Sequence, residues 1–177
     1  MEGFKMKILI IGPLGAGKSS LAYAINKKYN FPRLNLDEVS RIKGAGYRSI
    51  KEQISILNNF LKSHNTWVIE GSQKTLYEKV NPDLIIDMRI NRLVAIFRFT
   101  LRFMKAKKLT SENTAPDSPV QPYHYRKITL KRILEWDNEN NKLNTEIKFF
   151  LNHTKIPIIT CKKFKEYPKI FKYIENQ

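Results

Sequence analysis

Short runs of apolar residues recur along the chain, and each ends at a turn-forming or charged residue. The first run, residues 7–11, is aliphatic without alternation and leads into Gly12 and Pro13. Such a run is typical of a strand buried on both faces, as in a parallel sheet. Similar but weaker or shorter runs predict strands at residues 31–36, 66–70, 83–87 and 156–160. Pro157 predicts that the last of these is an edge strand, because proline cannot donate to a sheet hydrogen bond.

Segments with helical periodicity separate these runs. They predict helices at about residues 18–29, 50–61, 91–107, 125–153 and 166–175. Ser49 and Glu52 have the spacing of a capping box at the start of the second helix. Because strands alternate with helices, the pattern predicts an α/β fold with a doubly wound parallel sheet.

The domain organisation is predicted from the length of the chain and from one proline-rich polar stretch. Residues 110–122 carry three prolines among serine, threonine, asparagine and aspartate, which predicts a loop. The sequence shows no internal repeat and no linker between two folded parts. The 177 residues therefore predict a single domain over residues 1–177.

The charge of the chain is strongly positive. Lysine and arginine number 32 against 16 acidic residues, which gives a formal net charge of +16. This surplus favours a polyanionic ligand such as a nucleotide, nucleic acid or anionic membrane surface. Lysine outnumbers arginine 23 to 9, and isoleucine and asparagine are also abundant, as an AT-rich genome would produce. The positive charge therefore has two possible origins, a functional basic patch or a compositional bias.

Composition also bounds the cellular context. The longest strongly apolar window, residues 93–104, is interrupted by Arg98 and Arg102, so no membrane-spanning helix is predicted. The apolar run 8–11 is too short for a secretory signal. Cys161 is the single cysteine, which excludes an intramolecular disulfide, and no Cys/His cluster suggests zinc. We therefore expect a cytoplasmic protein with no membrane partner.

Residues 12–19 match the phosphate-binding pattern G-x-x-x-x-G-K-[ST], directly between a predicted strand and a predicted helix. In such a loop, glycines let the backbone approach a phosphate, and successive N–H groups and the helix N-terminus point at its charge. Lys18 would reach the β- and γ-phosphates, and the Ser19 hydroxyl would bind Mg²⁺. The predicted nucleotide-binding residues are Gly12, Pro13, Leu14, Gly15, Ala16, Gly17, Lys18, Ser19 and Ser20.

Together with three other segments, this loop resembles the adenylate-kinase-like P-loop kinases, and most closely their topology-modulation (FlaR-like) group. The other segments are residues 36–38, 67–71 and 98–102, which follow the loop in the family's order. The resemblance implies a three-layer P-loop NTPase fold with a five-stranded parallel sheet in the order 2-3-1-4-5. It also implies phosphoryl transfer from ATP with Mg²⁺ to a small acceptor under a lid, which we place at about residues 105–126.

Two acidic residues are candidates for supporting the metal. The resemblance assigns Glu70, at the end of the third strand, to Mg²⁺ through water, and places Glu70 and Gly71 beside the substrate. Asp87 also follows an aliphatic run and is the alternative, with a structural role if Glu70 supports the metal. Ser19 and Glu70 are the predicted metal residues.

The acceptor side of the site is assigned by the same resemblance. Asp37 would orient an acceptor hydroxyl or accept its proton, unless it caps a helix running through Ile42. Arg41 is placed where the monophosphate kinases hold the acceptor phosphate. Adenylate kinases follow the third strand with an aromatic residue, proline and arginine, whereas this chain has Ser72, Gln73 and Lys74. This departure weighs against AMP as the acceptor and favours another nucleotide, a nucleoside or a non-nucleotide metabolite.

Arg98 and Arg102 are spaced to project from one helical face, and no acidic residue lies between residues 87 and 112. The resemblance implies that they clamp the transferring phosphates; a solvated basic face is the alternative. Lys18, Asp37, Arg98 and Arg102 form the predicted catalytic set. The sequence thus predicts a kinase acting on a nucleotide, nucleoside or hydroxylated metabolite. The alternatives are a nucleic-acid-binding or regulatory ATPase, which the charge favours, and a nucleotide sensor without turnover.

Overall fold

The computed structural model describes residues 5–42, 46–105, 130–131, 133–135 and 141–177. Its main sheet contains the five apolar runs predicted as strands, and the three inner runs, at residues 7–11, 67–70 and 84–88, are buried on both faces. The strands are β1 (Lys7–Ile11), β2 (Arg33–Asn35), β3 (Arg41–Ile42), β4 (Gly46–Tyr47), β5 (Trp67–Glu70), β6 (Leu84–Met88) and β7 (Ile158–Cys161). All except β3 and β4 belong to the main sheet.

The main sheet is parallel and has the order β2-β5-β1-β6-β7. Counting only its own five strands along the chain, this is the predicted order 2-3-1-4-5. β7 lies at an edge, as Pro157 indicated. Ile10 pairs with Glu70 and Ile11 pairs with Asp87, so both acidic residues lie beside the end of β1.

Helices cover both faces of the sheet and complete three layers. The helices described over their whole length are α1 (Lys18–Tyr29), α2 (Leu36–Val39), α3 (Ile50–Ser63), α4 (Lys74–Tyr77), α5 (Arg92–Lys105), α6 (Lys142–His153) and α7 (Tyr167–Glu175). α1 and α7 pack on one face, where Leu21 and Ile170 meet Ile10. α3, α4 and α6 pack on the other, where Leu57 and Ile147 meet Leu9 and Ile11. This confirms the predicted α/β class. Within the described residues, none of the helices is both long and apolar enough to cross a membrane.

The segment after β2 differs from the prediction. α2 ends at Val39, and β3 and β4 form an antiparallel hairpin, so the alternative in which Asp37 caps a helix running through Ile42 is wrong. Asn35 caps α2 by accepting a hydrogen bond from the Asp37 N–H (2.9 Å). Asp37 is therefore not the N-cap, because an Asx residue two positions earlier already satisfies its amide.

The predicted long helix over residues 125–153 is also wrong in part. Glu135 is a turn residue, and Asn141 is extended and caps α6 through the Asn144 N–H (3.1 Å). An asparagine side chain competes with the hydrogen bonds of a helix interior, so asparagine favours the N-cap position of a new helix. Ser49 and Glu52 form the predicted capping box. Residues 106–129, which include most of the predicted lid, lie outside the described residues.

Candidate functional site

The loop that joins β1 to α1 has a backbone that requires glycine at particular positions. Gly12 has φ +141°, and a Cβ atom there would lie 2.5 Å from the Met88 carbonyl oxygen. Gly17 has φ +91°, and a Cβ atom there would lie 2.7 Å from Cε1 of Phe164. The loop is therefore held tightly between β6 on one side and the segment after β7 on the other.

Lys18 folds back onto this loop. Its Nζ donates to the carbonyl oxygens of Gly12 and Pro13, both at 3.0 Å, and the residue is 7% exposed. A buried ammonium group at the N-terminus of a twelve-residue helix gives this spot a strongly positive potential. The loop is thus arranged to receive an anion.

Ser19 and Glu70 meet directly beside Lys18. The Ser19 hydroxyl donates to Oε2 of Glu70 at 2.9 Å, and Glu70 is 1% exposed. Oε1 of Glu70 is buried and has no hydrogen-bond partner among the described residues. This oxygen is therefore available to a further ligand, which a buried carboxylate requires to offset its lost hydration.

Burial raises the pKa of Glu70 to about 7 from its ordinary value of 4.5. The charge of Lys18 and the hydrogen bond from Ser19 act in the opposite direction. The nearby charge of Asp37 raises the value further, and that of Arg33 lowers it. A carboxyl group with this pKa takes up or releases a proton near neutral pH.

Asp87 lies in a different environment from Glu70. Its carboxylate pairs with Nε of Arg89 at 2.6 Å, and Nη1 of Arg89 donates to Asn144 at 3.0 Å. Ile85, two residues earlier in β6, belongs to the core opposite α1, whereas Val68 in β5 belongs to the core beside α1. Because side chains alternate along a strand, Asp87 faces away from α1 and Glu70 faces towards it.

The predicted acceptor residues surround α2. Asp37 is half-buried in its first turn, and Arg41 is half-buried in β3. Gly71 follows β5, donates its N–H to Ile10 at 3.1 Å and packs on Leu36. Asp37 is close enough to Glu70 to affect its pKa, so two carboxylates lie on this side of the loop.

Arg98 lies at the opposite end of the loop. Its guanidinium carbon is 3.2 Å from the ring centroid of Phe164, and a Cβ on Gly17 would lie 3.3 Å from its Nη1. Burial lowers the pKa of Arg98. Tyr167 donates its hydroxyl hydrogen to the Gly17 carbonyl oxygen at 3.4 Å. The structure thus brings Arg98 to the loop, whereas the side chain of Arg102 lies outside the described part.

No protein-family model matches the chain. The chain is 23% identical over 198 residues to an adenylate kinase from Buchnera aphidicola subsp. Cinara cedri, which covers 97% of this chain and 91% of that protein. Among solved structures, it is similar to a deoxyadenosine kinase from M. mycoides with bound dATP. That match has a TM-score of 0.54 and 15% identity, and covers 97% of this chain and 100% of the other.

The chain has a P-loop nucleotide-kinase fold. The likeness covers nearly the whole chain, whose described part contains a five-stranded parallel sheet with helices on both faces. Membership of the topology-modulation group stays a prediction.

Three residues contact the loop of this nucleotide-kinase fold without any sequence pattern that predicts the contact. Arg33 donates to the Ser19 carbonyl oxygen (3.5 Å), and Ser72 donates its hydroxyl to the Gly12 carbonyl oxygen (2.8 Å). Phe164 packs on Gly17 from a 3₁₀ turn, Phe164–Glu166. Ser72 is marked in the sequence only by its position just after Glu70 and Gly71, and the other two carry no local signal.

The described residues of the nucleotide-kinase fold include no group of three or more His, Cys, Asp or Glu side chains arranged to hold a metal ion. Ser19 and Glu70 nevertheless fit a Mg²⁺ ion held mainly by the phosphates of a nucleotide. The hydroxyl and the unpartnered Oε1 of Glu70 are the oxygen ligands or water acceptors that such an ion prefers.

Proposed function

We propose that the protein is a kinase that transfers the γ-phosphate of ATP to a small acceptor. The observation that carries the proposal is the contact of Ser19 with the buried Glu70 (2.9 Å) directly beside the buried Lys18. A buried carboxylate and ammonium at the start of a helix cost stability, and binding of a metal–phosphate group offsets that cost. We also propose that residues 1–177 form one domain with a lid at about 105–126.

The loop residues would hold the donor phosphates. Gly12, Pro13, Leu14, Gly15, Ala16 and Gly17 supply the backbone, and Lys18, Ser19 and Ser20 begin the helix. Lys18 would exchange its two carbonyl partners for the β- and γ-phosphate oxygens. Backbone N–H groups then neutralise the remaining charge without any need to rearrange.

Ser19 and Glu70 would hold Mg²⁺, the hydroxyl directly and the carboxylate through water. When bound, this ion neutralises phosphate charge as the phosphoryl group moves. Glu70 serves this role only when it is ionised, and its raised pKa makes ionisation depend on pH near neutrality.

The acceptor would lie on the α2 side of the loop. Asp37 would orient the attacking hydroxyl or phosphate oxygen, or accept its proton, because its carboxylate lies near Glu70 and is half-buried. Arg41 would bind an anionic part of the acceptor. Gly71 would let the acceptor approach the backbone beside Glu70.

Arg98 and Arg102 would stabilise the phosphoryl group in transit. Arg98 already lies next to Gly17, and its partial burial gives its charge a stronger effect than in open solvent. Arg102 follows one helical turn later in α5.

The acceptor class is a nucleotide, a nucleoside or a hydroxylated metabolite. The names of the two similar proteins, an adenylate kinase and a deoxyadenosine kinase, support a nucleotide or nucleoside. The absence of the adenylate-kinase arginine after Gly71 disfavours AMP.

The test is ATP consumption by the purified protein with Mg²⁺, screened against pooled nucleosides, nucleoside monophosphates and small hydroxylated metabolites. Acceptor-stimulated ADP release that is lost in Lys18→Ala supports the kinase. The same release in Lys18→Ala contradicts the role of the loop. ATP binding with no stimulation by any pool contradicts the kinase.

A nucleic-acid-binding ATPase is the second candidate, and one observation favours it. The two acidic residues of the C-terminal segment are engaged internally: Glu166 accepts from the backbone of Lys162 and Lys163, and Glu175 pairs with Lys28 at 2.6 Å. The five lysines of that segment are solvent-exposed: Lys162, Lys163, Lys165, Lys169 and Lys172. Steeply salt-dependent DNA binding that stimulates ATP hydrolysis would favour this function over the kinase.

A further inference from the structure

The carbonyl oxygen of Gly12 accepts two hydrogen bonds from different parts of the chain. One comes from Lys18 Nζ at 3.0 Å, and the other comes from the Ser72 hydroxyl at 2.8 Å. Lys18 belongs to the phosphate-binding loop, and Ser72 belongs to the segment between β5 and α4. The first residue of the loop is therefore linked to the segment that follows Glu70.

The residue after Ser72 continues this link towards α2. Gln73 donates its Nε2 hydrogen to the Ser40 hydroxyl oxygen at 2.9 Å. Ser40 in turn donates its hydroxyl hydrogen to the Asp37 carbonyl oxygen at 2.8 Å. We call Ser72, Gln73 and Ser40 the relay, since together they join Gly12 to the turn of α2 that carries Asp37.

The relay has little freedom to rearrange at its α2 end. Ser40 is 1% exposed, so water cannot readily replace the hydrogen bond from Gln73. Nη1 of Arg48 donates to the carbonyl oxygens of Glu38, Val39 and Arg41, which fixes the end of α2 against the hairpin. Because of these bonds, a displacement of Ser40 would move the whole of α2 with it.

We propose that Ser72 and Gln73 are positioning residues that couple occupancy of the phosphate-binding loop to the order of α2. The assignment of α2 to the acceptor side rests on the proposed function, whereas the coupling itself rests on the four hydrogen bonds. Because coupling between two sites is reciprocal, an acceptor that orders α2 would also tighten nucleotide binding. The relay thus favours joint occupancy of the two sites.

The physical basis of this coupling is that Lys18 and Ser72 compete for the Gly12 carbonyl oxygen. Two donors on the same carbonyl oxygen withdraw electron density from the same atom, so each bond is weaker than it would be alone. When Lys18 turns to the phosphates, the Gly12 oxygen keeps only Ser72 of these two donors, and that bond strengthens. The segment holding Gln73 becomes better ordered, and Gln73 transmits this order to Ser40 and Asp37.

Hydrogen exchange on the full chain tests the proposal, with the amides of residues 36–42 followed by mass spectrometry. Ser72→Ala removes the first bond, and Gln73→Glu removes the amide donor while keeping the side-chain shape. Ser63→Ala is the matched control, because Ser63 is an exposed serine at the end of α3. Calorimetry measures Mg-ATP binding for each variant separately.

Without nucleotide, Ser72→Ala and Gln73→Glu should speed exchange in residues 36–42 roughly fivefold, and Ser63→Ala should not. Saturating Mg-ATP should slow exchange there about two- to fivefold in the wild type and have no such effect in either relay variant, although both still bind ATP. Ser72→Thr, which keeps the hydroxyl, should restore the effect of Mg-ATP.

Equal protection of residues 36–42 by Mg-ATP in the wild type and both relay variants would overturn the coupling, as would no protection in a wild type that binds ATP. A wild type that fails to bind Mg-ATP would contradict the proposed function instead. In that case, hydrogen exchange without nucleotide would test only whether the relay orders α2. Unchanged exchange of residues 36–42 in both relay variants would show that it does not.

Discussion

Glu70 shows at the scale of one residue how burial and chemistry are combined in this protein. The side chain is 1% exposed, with one oxygen on Ser19 and the other unpartnered within the described residues. A protein selected only for stability would gain by replacing such a carboxylate with an apolar or amide side chain. Its presence beside Lys18 therefore indicates that the site is adapted to a ligand.

The first prediction concerns the pH dependence of stability without nucleotide. The folded-state pKa of Glu70, about 7, lies above its ordinary value of 4.5, so folding favours the protonated form. The contribution of Glu70 is fully present below about pH 4.5 and is lost as the pH rises through 7, by at most about 3 kcal/mol. The free energy of unfolding should therefore fall between pH 5 and 8 in the wild type relative to Glu70→Gln.

Chemical denaturation at several pH values, with the metal chelated, measures this difference. Parallel pH curves for the wild type and Glu70→Gln would contradict the assigned environment of Glu70.

The second prediction concerns Arg98. Arg98→Ala should lower kcat about ten- to a hundredfold and change ATP affinity by less than about threefold, because charge develops mainly in the transition state. Arg92→Ala is the matched control, since Arg92 is an exposed arginine at the start of the same helix. Steady-state kinetics with the identified acceptor measures both. A rise in KM alone would assign Arg98 to ground-state binding.

Candidate site residues that are adjacent in the chain could be predicted from the sequence. Residues that come together only on folding could not. Gly17, Lys18 and Ser19 carry a local pattern whose chemistry depends on backbone conformation. Ser72 and Phe164 reach the loop from 60 and about 150 residues away, and such contacts leave no periodicity in the sequence. The convergence of strand ends at one edge of a parallel sheet made both Glu70 and Asp87 candidates, and only the resemblance to the P-loop kinases favoured Glu70.

Among the helices and strands, those fixed by burial in the core were predictable from the sequence. Three strands of the main sheet, β1, β5 and β6, are largely apolar runs, and burial on both faces leaves few alternatives for them. The edge strands β2 and β7 are only partly buried. β3 and β4 have two residues each, which is too short to show alternation. Asn141 starts a new helix through a side-chain hydrogen bond, which a periodic apolar pattern does not reveal.

The third prediction concerns the start of α3. Ser49→Ala should lower the free energy of unfolding by about 1 kcal/mol, because the capping box satisfies backbone N–H groups at Ser49 and Glu52. Ser63→Ala, at the other end of this helix, should change it by less than about 0.5 kcal/mol. Urea denaturation compares the two, and equal effects would show that the cap contributes no stability.

At the scale of the whole molecule, the strand order gathers the candidate site from separate parts of the chain. β5 and β6 flank β1, so Glu70 reaches the loop from one side and the segment that leads to α5 and Arg98 from the other. The whole chain has a formal net charge of +16, which favours attraction of polyphosphates over neutral ligands. The same charge would favour binding of the nucleotide substrate that we propose.

The most direct measurement follows the γ-phosphate itself. The protein is incubated with Mg²⁺, ATP labelled on the γ-phosphorus and a mixture of nucleosides, nucleotides and small hydroxylated metabolites, and the labelled products are separated. We expect label on an organic acceptor in the wild type and loss of this product in Lys18→Ala. Label released only as inorganic phosphate, or an unchanged product in Lys18→Ala, would contradict the proposed kinase.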